Sequence, residues 1–321
     1  MRIAAALISI AVLASCFGPV DLSRRACPCV SGWTCVAGSC VPDGDDGGSG
    51  LGVDTGLVPD DTGVATDAGA IACPADAFCE DFEESSPSAN GWAAYPDFSR
   101  VSFVDARSPD PAVRAHRGSG MLRVTTTTPG ASADIVVCPF DGFTCPSDLP
   151  DGGMPPGITS GAIYMRAYLY VPTTLPSGMP FEMGHASVLY TGAHRGPWAD
   201  GEDVVGFNLD VDRASMYVGT IGERIDPRPA AGDPDPRPAF PRDTWTCVRV
   251  EIQIDASAGS VASYLGNDTT PAVSRTGIDT LPRLPFLHFG VGLGYTEEMP
   301  NGAAIYADDV AFGRSPIPCL D

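Results

Sequence analysis

The chain of 321 residues contains no lysine: its 19 basic side chains are all arginine, set against 40 acidic ones for a formal charge of −21. That absence removes several chemistries at once. No lysine Schiff base can form, and neither a Ser-Lys dyad nor a phosphate-loop lysine exists. The acidic excess, without any basic patch interleaved by aromatics, repels phosphate backbones and argues against nucleic acid as a partner. Neutral glycans, cations and basic proteins remain. Amphipathic helical periodicity is also lacking, and no apolar run reaches the roughly 20 residues that a membrane-spanning helix needs.

What is present begins with one positive charge, Arg2, and an uncharged stretch from Ile3 to Leu13 in which Ser9 is the only polar residue. Its length suits the h-region of a signal peptide. The stretch closes on Leu13-Ala14-Ser15-Cys16, which resembles a bacterial lipobox. The resemblance implies cleavage after residue 15, lipidation of Cys16, and contact with a lipid membrane through that anchor alone, at the cell envelope. Each buried CH₂ contributes about 0.8 kcal/mol, so two or more acyl chains hold durably where one binds only marginally.

Eleven cysteines become ten once Cys16 is set aside, an even number that reads as a disulfide framework in an exported chain. Cys27, Cys29, Cys35 and Cys40 crowd into residues 16–41 beside almost nothing that forms a core. Bridges must hold that segment, and three pairings are open. It resembles the short cysteine knots behind lipoboxes in myxobacterial surface proteins; a zinc site is the competing reading. Residues 42–70 are Gly, Asp, Thr, Val and Pro without period, a disordered acidic linker spanning on the order of 30 Å. Asp43, Asp45 and Asp46 within it lack the closing glutamate of a calcium loop.

Residues 71–321 predict one large all-β domain of short strands punctuated by Pro and Gly. In residues 161–171, Ile163, Met165, Ala167, Leu169 and Val171 alternate with Tyr164, Arg166, Tyr168 and Tyr170. Residues 246–255 repeat the scheme, with Val248, Val250, Ile252 and Ile254 on one face and Cys247, Arg249, Glu251, Gln253 and Asp255 on the other. Further strands are expected at 101–104, 121–128, 134–138, 181–190, 204–211, 215–219, 260–265, 286–295 and 304–313. Many half-buried strands imply two packed sheets, a β-sandwich. Asp-Pro-Arg-Pro occurs twice, at 226–229 and 235–238. Proline has no ladder donor, so this stretch is expected as a long surface loop.

Phe78-Cys79-Glu80-Asp81-Phe82-Glu83, then Gly91-Trp92, His116-Arg-Gly-Ser-Gly-Met-Leu-Arg-Val124, Trp245-Thr-Cys247-Val-Arg-Val-Glu-Ile and Ile305-Tyr-Ala-Asp308-Asp309-Val-Ala-Phe312 follow one another in the order of a concanavalin A-like jelly roll, which the chain resembles over residues 78–319. Lectins, laminin G-like domains, family 16 glucanases and several polysaccharide lyases share that architecture, so the resemblance implies a jelly-roll sandwich and leaves binder and enzyme both open. The glucanase signature Glu-x-Asp-x-x-Glu is missing: its nearest counterpart, Gly201-Glu202-Asp203-Val204-Val205, lacks the second and third acids. Glu251 and Asp255 share a face but stand roughly 13 Å apart, too far for either common glycosidase mechanism. Asp210 and Asp212, at roughly 7 Å, are the one candidate acid pair. A lyase would draw a Tyr or His base and a carboxylate-neutralising group from His185, His194, His288, Arg166 and the strand tyrosines.

Binding without catalysis needs less. Aromatic rings stack on sugars while planar polar groups orient them, and Tyr164, Arg166, Tyr168 and Tyr170 supply both, with Trp198, Asn208, Asp210, Glu251 and His288 as further ligand-binding candidates and Tyr190 and Trp245 as further platforms. Carbohydrate is therefore the expected ligand, with a polysaccharide-degrading enzyme and a protein-binding adhesion or scaffold domain as alternatives. Cys247, facing outward, and Cys319, at the chain's end, form a pair that would clip the tail to a sheet; Cys73 with Cys79 and Cys138 with Cys145 are then local pairs. No cofactor is required by any motif. The resemblance implies one structural ion as an option: a calcium held by Asp81 or Glu83 together with Asp308 or Asp309.

Overall fold

The computed structural model describes residues 33–36, 39–42, 73–74, 76–83, 92–95, 101–105, 113–126, 133–137, 157–181, 184–192, 204–210, 212–225, 229–230, 233–283, 286, 288–297, 300 and 302–320. The chain divides into two units, Met1–Gly63 and Val64–Asp321. In the first, β1 (Trp33–Val36) pairs antiparallel with β2 (Ser39–Pro42), which sets Cys35 opposite Cys40. Cys16, Cys27, Cys29 and the acidic linker lie outside the described residues.

The second unit has no helix among the described residues and is built of two antiparallel sheets. The seven-stranded sheet runs β12 (Glu223–Ile225), β11 (Arg213–Val218), β10 (Val205–Asp210), β9 (His185–Gly192), β16 (His288–Glu297), β7 (Ala133–Val137), β4 (Ala93–Tyr95). The eight-stranded sheet runs β15 (Val273–Ile278), β14 (Gly259–Leu265), β13 (Trp245–Ile254), β8 (Gly161–Tyr170), β17 (Ala304–Gly313), β6 (Gly120–Thr125), β5 (Val101–Asp105), with β3 (Ala77–Glu80) paired to β17. Neighbours distant in sequence, such as β9 with β16 and β8 with β17, make this a jelly-roll sandwich.

The alternation read from the sequence is what packs the two layers. Ile163, Met165, Ala167 and Leu169 of β8 and Val248, Val250, Ile252 and Ile254 of β13 face Phe207, Leu209, Phe289, Val291 and Leu293 of the other sheet in one core. Each large side chain buried there contributes roughly 1.5–3 kcal/mol. Three strands of this unit, β4, β12 and β15, escaped the sequence reading, and β3 was read only through the jelly-roll resemblance. β15, Val-Ser-Arg-Thr-Gly-Ile, buries only its two ends and exposes four residues between them, so it carries no alternation; β3, β4 and β12 have three or four residues each, too few for a period to show.

The proline-rich stretch also differs from expectation. Its first copy falls mainly on residues outside the description, but the second is not a simple surface loop. Pro238 accepts the Ala214 N–H at 3.0 Å, Phe240 enters the core, and Arg237 is 4% exposed. The segment is held by the Pro238 carbonyl, by the Phe240 N–H, which donates to Asp212 O at 2.8 Å, and by the buried Arg237 guanidinium. Two disulfides are described: Cys73–Cys79 and Cys247–Cys319, with Cα atoms 5.9 and 6.1 Å apart. Cys138 and Cys145 lie outside the described residues.

Candidate functional site

Antiparallel register distributes the candidate residues over two opposite outer faces. Tyr164, Arg166, Tyr168, Tyr170 and Glu251 stand on the eight-stranded sheet, where β8 pairs with β13 and sets Tyr164 opposite Glu251. Tyr190, Asn208, Asp210 and His288 stand on the seven-stranded sheet. No single cleft gathers both sets. His194 and Trp198 lie outside the described residues, as does the side chain of His185.

The tyrosine row of β8 is not the continuous platform that its alternation predicts. Arg166 and Tyr168 are 2% and 5% exposed. The C-terminal tail crosses them: Arg166 donates to Pro318 O at 3.0 Å and to Asp309 O at 3.1 Å, and the Tyr168 hydroxyl donates to Leu320 O at 2.5 Å. The Cys247–Cys319 bridge fastens the same tail. From the other side the His116 ring stacks on Tyr168 at 3.6 Å, and Trp245, which donates to Arg114 O at 2.7 Å, packs against Tyr170 at 5.6 Å. Burial accordingly raises the Tyr168 phenol above its ordinary range. Alternation reports which face a side chain takes; it does not report what later covers that face.

Past Arg166 the same face opens. A groove of about 400 Å³ lies across β8, β13, β14 and β15, and Tyr164, Tyr264, Glu251, Gln253, Ser274 and Thr276 are among its lining residues. Register explains the gathering. Glu251 stands between Tyr164 and Ala262, and Gln253 between Ala162 and Ser260, so small side chains flank the planar polar ones and leave the floor open. The Tyr264 hydroxyl reaches Glu251 Oε2 at 3.5 Å, and Arg249 stacks over the Tyr264 ring at 4.7 Å from its centroid. Burial, and then the Glu251 charge, raise the Tyr264 phenol. Tyr264 was missed in the sequence because it sits in a strand whose outward neighbours, Ser260 and Ala262, are small and carry no aromatic pattern. Two aromatic rings with a carboxylate and an amide between them provide stacking surfaces and planar hydrogen-bonding groups within one open site.

The outer face of the seven-stranded sheet is polar and buried. Tyr190 and Asn208 are 0% exposed and His288 2%. Tyr190 lies across the glycines of β16: a methyl at Gly290 would sit 2.3 Å from Tyr190 Cζ, so only glycine admits the ring there. The His288 ring meets Tyr190 edge-on at 5.9 Å. Asp210 accepts from Arg237 at 2.7 Å, and Arg237 donates in turn to Asp235, holding that carboxyl down at about 2. Asp212, with φ 65° in the turn after β10, pairs with Arg242 instead. The candidate acid pair is therefore divided between two arginines, Arg237 for Asp210 and Arg242 for Asp212.

The carboxylates weighed for calcium are engaged by groups of the chain itself, and Asp308 and Asp309 share His116. Glu83 accepts from Ser119 N at 2.7 Å and Gly120 N at 2.8 Å; Asp81 accepts from Glu83 N. Asp308 accepts from His116 N at 2.8 Å and Arg117 N at 3.2 Å, and Asp309 from the His116 ring at 2.6 Å. Among the described residues no group of three or more His, Cys, Asp or Glu side chains is placed to hold a metal ion.

No family model matches the chain, and no curated protein matches it. Among solved structures, the cellulose induced protein Cip1 is 12% identical, covering 76% of this chain and 100% of that one with a TM-score of 0.50. An alginate lyase, vAL-1 from Chlorella virus, is 10% identical over 67% of this chain and 92% of that one, at 0.40. A Trypanosoma rangeli sialidase is 12% identical over 65% and 27%, at 0.35. At such identities the likeness to Cip1 is one of fold alone, and it places the second unit among two-sheet jelly-roll sandwiches.

Proposed function

We propose that this chain is a lipid-anchored protein of the cell envelope whose sandwich head binds carbohydrate, without catalysis, in the groove between Tyr164 and Tyr264. The observation that carries the reading is the groove itself: two tyrosines, Glu251 and Gln253 in one open site. A protein-binding scaffold would be served by a flat sheet, and a hydrolase by an acid pair roughly 5 to 9.5 Å apart; the groove and the separate arginine partners of Asp210 and Asp212 count against both. The lipobox at Cys16 and the acidic linker support an anchor with reach.

Retention of the full-length protein on a polysaccharide panel tests the binding, and Tyr164→Ala and Tyr264→Ala should each weaken it at least tenfold, since stacking surfaces supply most of such an interface. Unchanged retention in both would remove the assignment. Cys16→Ser should move the protein from the detergent phase to the aqueous phase; an unaltered partition would remove the anchor. A second reading, a polysaccharide lyase, draws on the Tyr190–His288 contact and Asn208 on the seven-stranded sheet. Unsaturated sugar products, seen by ultraviolet absorbance and lost in His288→Ala, would establish it over the first.

A further inference from the structure

We propose that the groove takes glycans that carry amino groups, with Glu251 as the counter-charge, and rejects those that carry carboxylates. This rests on the carbohydrate reading above and adds the ligand's charge class. Glu251 is the one charged side chain lining the groove. The arginines carried by the four groove strands are all turned to other work. Arg249 is stacked on Tyr264 and donates to Gly266 O at 3.2 Å and Asp268 O at 2.5 Å. Arg166 is buried under the tail. Arg275 stands opposite Val261, a core residue, and so on the inner side of β15, where it pairs with Glu223 at 2.9 Å. Ser274 and Thr276, its neighbours on the groove side, bear no charge.

A uronate or sulfate entering this site would meet the Glu251 carboxylate, while the adjacent guanidinium, Arg249, is held against the Tyr264 ring and two backbone carbonyls, on a chain that carries −21 overall. A neutral sugar would stack on the tyrosines and use Gln253 and the hydroxyls. An ammonium group adds two terms: a charge-assisted hydrogen bond to Glu251 and attraction to the tyrosine faces. Glu251 has room for it. Its one contact among the described residues is the 3.5 Å approach of the Tyr264 hydroxyl, which leaves its other oxygen for a ligand.

The test is calorimetric titration of the full-length protein with four oligosaccharides of equal length: glucosamine, N-acetylglucosamine, glucose and uronate oligomers. The glucosamine oligomer should bind about tenfold more tightly than the two neutral ones at low salt, the margin should shrink as salt rises, and the uronate oligomer should show no binding. Glu251→Gln should remove the margin of the glucosamine oligomer over the neutral ones, so that the three bind at one level. Equal or tighter binding of a neutral or uronate oligomer by the unmodified protein would overturn the charge class while keeping the glycan reading. Failure of all four to bind would overturn both.

Discussion

Along β8 a single alternation puts Tyr164, Arg166, Tyr168 and Tyr170 on one face, yet its two ends have opposite fates. Near Tyr168 the face is closed by the tail, the His116 ring and Trp245; near Tyr164 it is lined by short side chains of β14 and β15 and stays open as a groove. The same residue type at the same parity is a packing element in one place and, on the proposed reading, a recognition element in the other. What separates them is the cover, which comes from the tail and the His116 segment, both without strand character, with Trp245 of β13 beside them. Aromatic rings at the closed end stabilise the tail's seat; the ring at the open end lines the groove.

The strongest way to break the contrast is to unfasten the cover. Replacing both Cys247 and Cys319 with serine frees a loop of 72 residues and should lower stability by about 4 kcal/mol in denaturant unfolding. It should also expose Tyr168, raising its reactivity toward nitration. An unaltered midpoint would mean that the hydrogen bonds from Arg166 and Tyr168 hold the tail without the bridge.

Next in size is the dependence on pH under the closed half. Asp308 is fully buried, and desolvation, then the neighbouring Asp309 charge, push its carboxyl up to about 8. His116 and Arg117 face it through their backbone N–H groups. A carboxyl raised in the fold binds protons that the unfolded chain releases, so its contribution is complete below about pH 4 and is lost as the pH climbs through about 8. Melting curves should therefore fall across that window by an amount worth on the order of a few kcal/mol, and Asp308→Asn should flatten them. Should calcium sit on these carboxylates after all, stability would rise with pH and with added calcium, and the prediction would fail by sign.

The layers of this fold were legible in the sequence wherever a strand buries one side. Ile163, Met165 and Leu169, and Val248, Val250 and Ile252, announce their faces by period two. The Cys247–Cys319 bridge was legible for the same reason, because parity sets Cys247 outside the core. The candidate site was only half legible. Tyr164 and Glu251 were readable as outward residues, but their partner Tyr264 arrives through the β13–β14 hairpin, whose register depends on the geometry of the turn at 255–258 and not on side-chain alternation. Nor does any pattern announce that Pro318 and Leu320 offer their carbonyls to Arg166 and Tyr168, or that Arg237, in a segment that reads as loop, will bury itself against Asp210.

The smallest effects sharpen the comparison most, because a single oxygen can be removed at each end of β8. Tyr168→Phe deletes the donor to Leu320 O and should lower stability by about 1 kcal/mol, with glycan binding untouched because that hydroxyl points into the tail. Tyr164→Phe deletes a hydroxyl at the rim of the groove; stability should stay within about 0.5 kcal/mol, and since the ring remains as a stacking surface, binding should weaken only a few-fold. The two variants differ from their parent by the same atom, so crossed results decide the matter. If Tyr168→Phe weakened binding and Tyr164→Phe lowered stability, the tail would be the mobile element and the recognition face would lie beneath it.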